Sequence, residues 1–460
     1  TSWYGYYSRW NGGMLSLLSY ALLYWAWVSN MEAKSTRLAI QCAVYTAIPV
    51  AIWGALEHFG WSPSCLLTRG SWGVDCWVQD VKNRVFATLG QPNWMAAYLA
   101  VLIWIPISKL RNFKFSILNF QIISNVLIFI LLFSALLFTK SRSGLLAFGV
   151  SATVFWGIYI WKLRELKNYL EIGIWLLVIA TLIFSVGNPV RDLVIRSSTP
   201  APAPAGPALE VGGTESGTIR KIVWTGAIRI WQGSAKNFLI GTGPETFAES
   251  YYQFRPVEHN RTSEWELLYN KAHNEFLNYL ATTGLVGLVS YFGLLFVMAK
   301  LLWQQRRSET GLALLAGWVS IPITNFWGFS VVVVQLLLFL LPAMALALAQ
   351  PEAKPSKTPA LGGGQIFAVL VCGSAALWLI YTTARYWWAD VKYASGLNAV
   401  KSFQATSQPQ YLLSAYQLYT SAYALNPAEP AISSELSVAA GYLANSLRQS
   451  DPTSAGQLAQ

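Results

Sequence analysis

The chain has 460 residues, 54% hydrophobic and only 12% charged, against roughly 25% charged in a soluble domain, which excludes a string of ordinary soluble domains. Four cysteines and three histidines exclude a disulfide framework and a conventional zinc module and leave little room for a metal site. The net charge of +11 falls in short Lys and Arg clusters between apolar runs, the pattern of cytoplasmic membrane loops, and is assigned first to topology and second to an anionic ligand, not to nucleic acid.

In chain order, the first ten residues are interfacial aromatics (Trp3, Tyr4, Tyr6, Tyr7, Trp10) without a signal-peptide pattern, so the chain is expected to begin inside a longer protein. Ten stretches then have roughly the length and apolarity of a span: residues 11–29, 38–58, 93–108, 116–138, 143–161, 170–187, 276–299, 311–326, 329–349 and 365–383. The third and eighth are short. The eighth and ninth meet at Asn325, Phe326, Trp327 and Gly328 and read equally as one broken hairpin. The 22 each of Trp, Tyr and Phe suit two membrane interfaces.

Every second connection is basic: Lys34 and Arg37; Lys109, Arg111 and Lys114; Lys162, Arg164 and Lys167; Lys300, Arg306 and Arg307; Lys354 and Lys357. The inside-positive bias puts these in the cytoplasm, and residues 59–92, the turn Thr139–Arg142, residues 188–275 and everything after 384 outside. The expected class is an all-α, polytopic helical membrane protein of about ten spans, with a large extracytoplasmic loop and a small helical tail. Its parts are residues 1–187 and 276–384 in the membrane, the loop 188–275, and the tail 385–460. Cys65 and Cys76 share an outer loop and form a disulfide in an oxidising compartment or stand as two free thiols; Cys42 and Cys372 read as packing residues.

The loop opens with a Pro, Ala and Gly run, Pro200 to Gly213, that reads as a flexible linker. From Ile219 to Trp231 apolar residues recur at helical spacing, which predicts a helix on the membrane surface. In the tail, Tyr416 to Pro427 resembles the end of a tetratricopeptide unit, where a helix stops before a Pro; the tail binds a partner, caps the loop, or is a purely structural cap.

Charged groups beside spans point to function. Lys140, Ser141, Arg142, Ser143 and Gly144 form the leading cluster, because its two cations lie outside, where topology does not call for them. An Arg fork suits a phosphate, and Ser and Gly let the backbone approach; the alternative is an Arg snorkelling to headgroups. Arg220 shares a helix face with Trp224, whereas Arg229 lies about 180° round the helix, so Arg220 is preferred; a basic helix lying on anionic lipid is the other reading. Gly241, Thr242, Gly243 and Pro244 read as a tight turn that fixes the loop. His273, between Lys271 and Asn274 at a membrane boundary, is the leading base. His259 is a second candidate and His58 a third.

The series Phe86, Leu89, Gly90, Pro92, Asn93; Ser141 to Gly144; Arg220, Trp224; Gly241, Gly243, Phe247; His273, Asn274, Leu277; and Gly284, Gly287 resembles the O-antigen ligase and polymerase superfamily over about residues 1 to 350, and the tail resembles that of members bearing tetratricopeptide units. The resemblance implies a glycosyltransferase of the bacterial cytoplasmic membrane, part of cell-envelope and lipopolysaccharide biosynthesis. It would move a glycan from an undecaprenyl diphosphate carrier to an acceptor outside, with inversion and without metal or cofactor. His273 would be the base, and Arg142 and Arg220 would hold the departing diphosphate; Lys140, Lys271, Asn274, Arg229 and His259 are carried as substrate-binding candidates. Many members have a second His where this chain has Lys271, which puts a second imidazole in doubt and gives Lys271 a phosphate to hold. O-antigen polymerase and protein O-oligosaccharyltransferase differ only in acceptor (lipid, glycan or protein), and the tail leans slightly toward a protein. A small-anion transporter is the reading from another class.

The orientation is testable in a variant without the native cysteines. A Cys at Gln305 should be protected from an impermeant thiol reagent in intact cells and a Cys at Ser216 should react; the reverse pattern would invert the topology.

Overall fold

The structure, a computed structural model, describes residues 2–5, 12–77, 79–109, 120–162, 166–195, 216–350, 362–448 and 452–458. The expected linker at 200–213, the aromatics Tyr6, Tyr7 and Trp10, and the basic residues Arg111, Lys114, Arg164, Lys354 and Lys357 lie outside the described residues.

The described residues are helical and contain no strand, as the apolar periodicity requires. In chain order the helices are α1 (Met14–Asn30), α2 (Ala33–His58), α3 (Pro63–Arg69), α4 (Pro92–Leu102), α5 (Trp104–Lys109), α6 (Phe120–Phe138), α7 (Arg142–Lys162), α8 (Leu166–Ser185) and α9 (Pro189–Ile195). They continue with α10 (Ser216–Gln232), α11 (Ala235–Ile240), α12 (Phe247–Phe254), α13 (Glu275–Gln304), α14 (Glu309–Phe326) and α15 (Val332–Ala349), then α16 (Gly363–Thr406), α17 (Pro409–Leu425), α18 (Pro430–Leu447) and α19 (Pro452–Leu458). Short 3₁₀ turns cover Ala87–Leu89 and Val257–Arg261. A helix stands at each of the ten expected stretches. Six have the length and composition to cross a membrane: α2, α6, Arg142–Trp161 of α7, α13, α15 and α16.

Helix starts are written in the local chemistry. Ser141 Oγ accepts the Gly144 N–H at 3.2 Å, Ser234 Oγ that of Asn237 at 3.0 Å, Asn274 Oδ1 that of Leu277 at 3.0 Å and Ser308 Oγ that of Gly311 at 3.0 Å, each satisfying an orphan donor of a first turn. Pro409 and Pro430 open α17 and α18, where a missing N–H costs nothing.

The main core forms around α4, whose residues from Met95 to Leu102 are all buried. Trp104 stacks on Phe148 and Phe155, with ring centroids 5.1 and 5.2 Å away. α4 and α14 are buried along most of their length, inside the bundle. The expected hairpin between the eighth and ninth stretches is closed by Ser330 Oγ, which donates to Asn325 Oδ1 at 2.9 Å.

Two compact units result: residues Thr1–Cys65 with Ser71–Lys354, and Leu66–Gly70 with Pro355–Gln460. The expected boundary at 384/385 falls inside the continuous helix α16. Within the second unit Tyr419 is fully buried and presses on Gly396, where an added Cβ would meet its ring at 2.5 Å. α17 stops at Leu425, ahead of Pro427, as expected. On α16, Leu370, Val371, Leu377 and Ile380 are exposed, a face suited to lipid. Cys42 and Cys372, expected in the packing, are exposed instead, because spans are apolar on their outer faces too. Cys65 and Cys76 are joined by a disulfide, Cα atoms 5.4 Å apart.

One feature of α13 governs the loop beside it. The helix kinks at Gly284 (φ 63°, ψ −164°), and the carbonyls of Ala281 and Thr282 lose their helical donors. Thr242 N–H donates to Ala281 O at 3.3 Å and Gly243 N–H to Thr282 O at 2.8 Å. The approach is so close that a Cβ on Gly284 would meet the Leu239 carbonyl at 2.4 Å, and one on Gly241 (φ 68°) would meet Thr282 backbone at 2.2 Å. The glycine turn expected at 241–244 is thus a backbone clasp on α13. Gly284→Ala, strained by its φ by about 1–2 kcal/mol before any clash, should lower the thermal unfolding midpoint in detergent by several degrees; an unchanged midpoint would show that the clasp is dispensable.

Candidate active site

Residues of five chain segments meet at one end of the main bundle. A cavity of about 420 Å³ is lined by Gln91, Asn93 and Trp94 before and at the start of α4, Ser143 of α7, Arg220 of α10, His273, and Trp327 and Phe329 of the α14–α15 turn. Its walls are aromatic and its polar groups few, as expected of a ligand site.

Arg220 reaches this cavity from the first turns of α10, the helix anticipated from Ile219 onward. Ile219, Val223, Ala227 and Ile230 form its buried stripe, so Arg220 is half-buried beside it while Arg229 is exposed. Trp224 packs against Phe326 and Trp327, 5.8 Å from each, while Arg220 lines the cavity. Desolvation, then the charge of Arg84, pushes the Arg220 guanidinium below its ordinary value, with Glu264 and Tyr269 acting in the other direction.

Arg84 is the residue that sequence reasoning missed. Its Nε donates to Thr139 O at 3.5 Å, Val85 N–H donates to Phe138 O at 3.3 Å, and Lys140 Nζ donates to Asn83 Oδ1. The segment 83–85 is thereby pinned along the α6–α7 turn, close to Arg142 at the start of α7. Arg84 is exposed; partial desolvation and then the charge of Arg142 lower its guanidinium. Arg84 is thus in electrostatic reach of both Arg142 and Arg220. Three like charges repel one another, and the first turn of α7 adds the positive end of a helix dipole; an anion relieves both. Its only signal in the sequence was its place two residues before Phe86.

Ser141 is buried: it caps α7 and donates to Asn93 Oδ1 at 2.8 Å, turning the Asn93 side chain at the cavity rim. At Gly144 a Cβ would meet the Ala96 side chain at 2.4 Å, so glycine there lets α7 lie against α4. Arg142 and Lys140 do not line the cavity, although Ser143 does.

His273 has a left-handed backbone (φ 53°) and its ring lies edge-on to Phe329 at 5.4 Å and tilted to Tyr269 at 5.2 Å. Its Nδ1 is 3.2 Å from Lys271 O. A carbonyl only accepts, so Nδ1 carries the proton and Nε2 keeps the lone pair that a base needs. The unusual backbone is held from both sides. Lys271 pairs with Glu245, both buried, Ala272 N–H donates to Asn278 Oδ1 at 3.2 Å, and Asn274 caps α13.

The other two histidines are occupied elsewhere. His259 is buried: its Nε2 faces Glu264 O at 3.3 Å and its Nδ1 the Tyr251 hydroxyl at 2.7 Å, so Nε2–H donates, Nδ1 accepts, and no nitrogen is left for a substrate. Burial lowers its pKa. His58 holds Lys82 O at 2.8 Å and stacks on Phe138 at 4.0 Å. Of the expected binding residues, Lys140, Lys271, Asn274, Arg229 and His259 all lie off the cavity lining. Asn274 and Lys271 are spent on fixing the backbone, and Arg229 stands near Tyr251.

Removing one partner of a buried pair costs about 3–5 kcal/mol. Glu245→Gln, which leaves the Lys271 ammonium buried without its carboxylate, should therefore lower the unfolding midpoint strongly in detergent. A wild-type midpoint would mean that the pair does not fix the strip 271–275.

Residues 127–292 match the family model described as O-antigen ligase. No curated protein matches the chain. The matched stretch holds Arg142, Arg220, His273 and both clasp glycines, so the part of the chain that carries the candidate site is similar to the O-antigen ligase family.

Proposed function

We propose that the chain is an inverting, metal-independent glycosyltransferase that moves a glycan from an undecaprenyl diphosphate carrier to a hydroxyl of an acceptor, in the manner of an O-antigen ligase. The observation that carries this reading is that Arg220 and His273 line one cavity while Arg84 links Arg220 electrostatically to Arg142.

In the reaction the acceptor oxygen attacks the anomeric carbon as the bond from that carbon to the diphosphate oxygen breaks. The electron pair leaves with the diphosphate, and the acceptor proton passes to His273 Nε2. Charge develops on the leaving group, and fixed guanidinium groups at a partly desolvated site stabilise it where it forms. Trp94, Trp327 and Phe329 restrict water, which would compete as acceptor. The basic connections support an extracytoplasmic position for this cavity in a bacterial cytoplasmic membrane. The acceptor is a hydroxyl of a lipid, a glycan or a protein, and the helical tail, read as tetratricopeptide-like, serves partner binding.

With a lipid diphosphate donor and purified protein, Arg84→Ala, Arg142→Ala and Arg220→Ala should each lose a charge-assisted contact of about 1.5–3 kcal/mol, or roughly 10- to 150-fold in rate, with Lys restoring only part. His273→Ala and His273→Gln should both lose about 10²- to 10⁴-fold while donor binding persists. Wild-type transfer by His273→Gln, or by all three Arg variants, would sink the assignment; anion uptake into vesicles that depends on Arg142 would favour a transporter.

A further inference from the structure

A second cavity, of about 610 Å³, lies on the strip that carries His273. Acceptors outnumber donors on its walls, where the Tyr20 and Tyr279 hydroxyls, the Asn278 amide and the Lys271 ammonium are the donors beside Gln335. Glu245 and Glu275 are 5% and 7% exposed, and Oε2 of each has no partner; nor does Gln335 Oε1. Glu245 Oε1 is taken by Lys271 Nζ. The hydroxyls of Thr282, Thr283 and Ser330, which also line the cavity, already donate, to Asn278 O at 2.7 Å, Tyr279 O at 2.7 Å and Asn325 Oδ1 at 2.9 Å. What remains on them is lone pairs. Two carboxylates stand against one ammonium, and buried acceptors without donors are unfavourable until something supplies them.

We infer that this cavity binds sugar hydroxyls, those of the acceptor glycan. A sugar ring carries several O–H donors on a compact frame and matches a wall of carboxylate, amide and hydroxyl lone pairs. A multivalent metal is a poorer match, since among the described residues no group of three or more His, Cys, Asp or Glu is disposed to hold one. The placement fits an acceptor. Lys271 and Glu275 line this cavity and His273 lines the first; likewise Ser330 lines this one and its neighbours Phe329 and Val331 the first. Both cavities are therefore built from the same two strips, and a glycan held in one ends beside the base of the other. The word acceptor rests on the glycosyl-transfer reading, whereas hydroxyl binding stands apart from it.

The test is saturation-transfer NMR on the full chain in detergent, with glucose, galactose, N-acetylglucosamine and rhamnose as probes. At least one should bind saturably to the wild type and to His273→Ala. Glu275→Gln, which brings amide donors into an acceptor wall, and Gln335→Leu, which removes an acceptor without touching charge, should each weaken binding by about tenfold. In transfer assays the same two variants should raise the acceptor KM by a similar factor and leave kcat and donor KM near wild type. No saturable sugar binding, unchanged binding in both variants, or binding of sodium ions alone overturns the inference. A fully active His273→Ala that still binds sugar in this cavity would refute the transfer mechanism and support the hydroxyl site.

Discussion

Where α13 breaks at Gly284, two buried carbonyls need donors, and an unmet carbonyl costs about 1–3 kcal/mol. Thr242 and Gly243 provide them, which ties the segment after α11 to the helix that starts two residues after His273. Because α10 and α11 lead into that segment, the tie also limits where Arg220 stands relative to His273. The condition is glycine at 241 and 284, where two backbones approach more closely than any Cβ permits. The catalytic assembly proposed here depends on this contact between backbones more than on any one side-chain pair.

The electrostatics follow from how the loops are tied down. Arg84 and Arg142 are brought together by hydrogen bonds between the segment 83–85 and the α6–α7 turn, and Arg220 arrives from a separate helix. Like charges repel within this trio, and at Arg220 Glu264 acts in the other direction; anion binding is the role proposed for the cluster. His273 differs in kind. Its proton is fixed on Nδ1 by a backbone carbonyl, its backbone is forced left-handed between an ion-paired lysine and a capping asparagine, and strain of this type gathers at functional sites. Lys271 and Glu275 also line the second cavity, so one short strip borders both.

The all-helical class, a helix at each of the ten apolar stretches, the helix after Ile219 and the turn at 241–244 were legible in the sequence. They depend on periodicity, on capping residues and on the conformational range of glycine, which are local properties. The choice of His273 over His259 was legible only in part. Depth at a span boundary favours it as the proposed base; that Tyr251 and Glu264 occupy both nitrogens of His259 supports the same proposal and is a matter of packing.

Arg84, the roles of Lys271 and Asn274, and the acceptor-lined cavity were decided by the tertiary structure. Arg84 is one of several cations in a polar loop, and nothing in its neighbours marks it until hydrogen bonds to residues 55 positions away fix its place. Lys271 and Asn274 have the composition of ligand-binding residues, yet burial forces the first to pair with Glu245 and the helix start claims the second. Sequence determines what each side chain can donate or accept. Which of those capacities is already spent, and which is left for a ligand, depends on partners far apart in the chain, and only the fold brings them together.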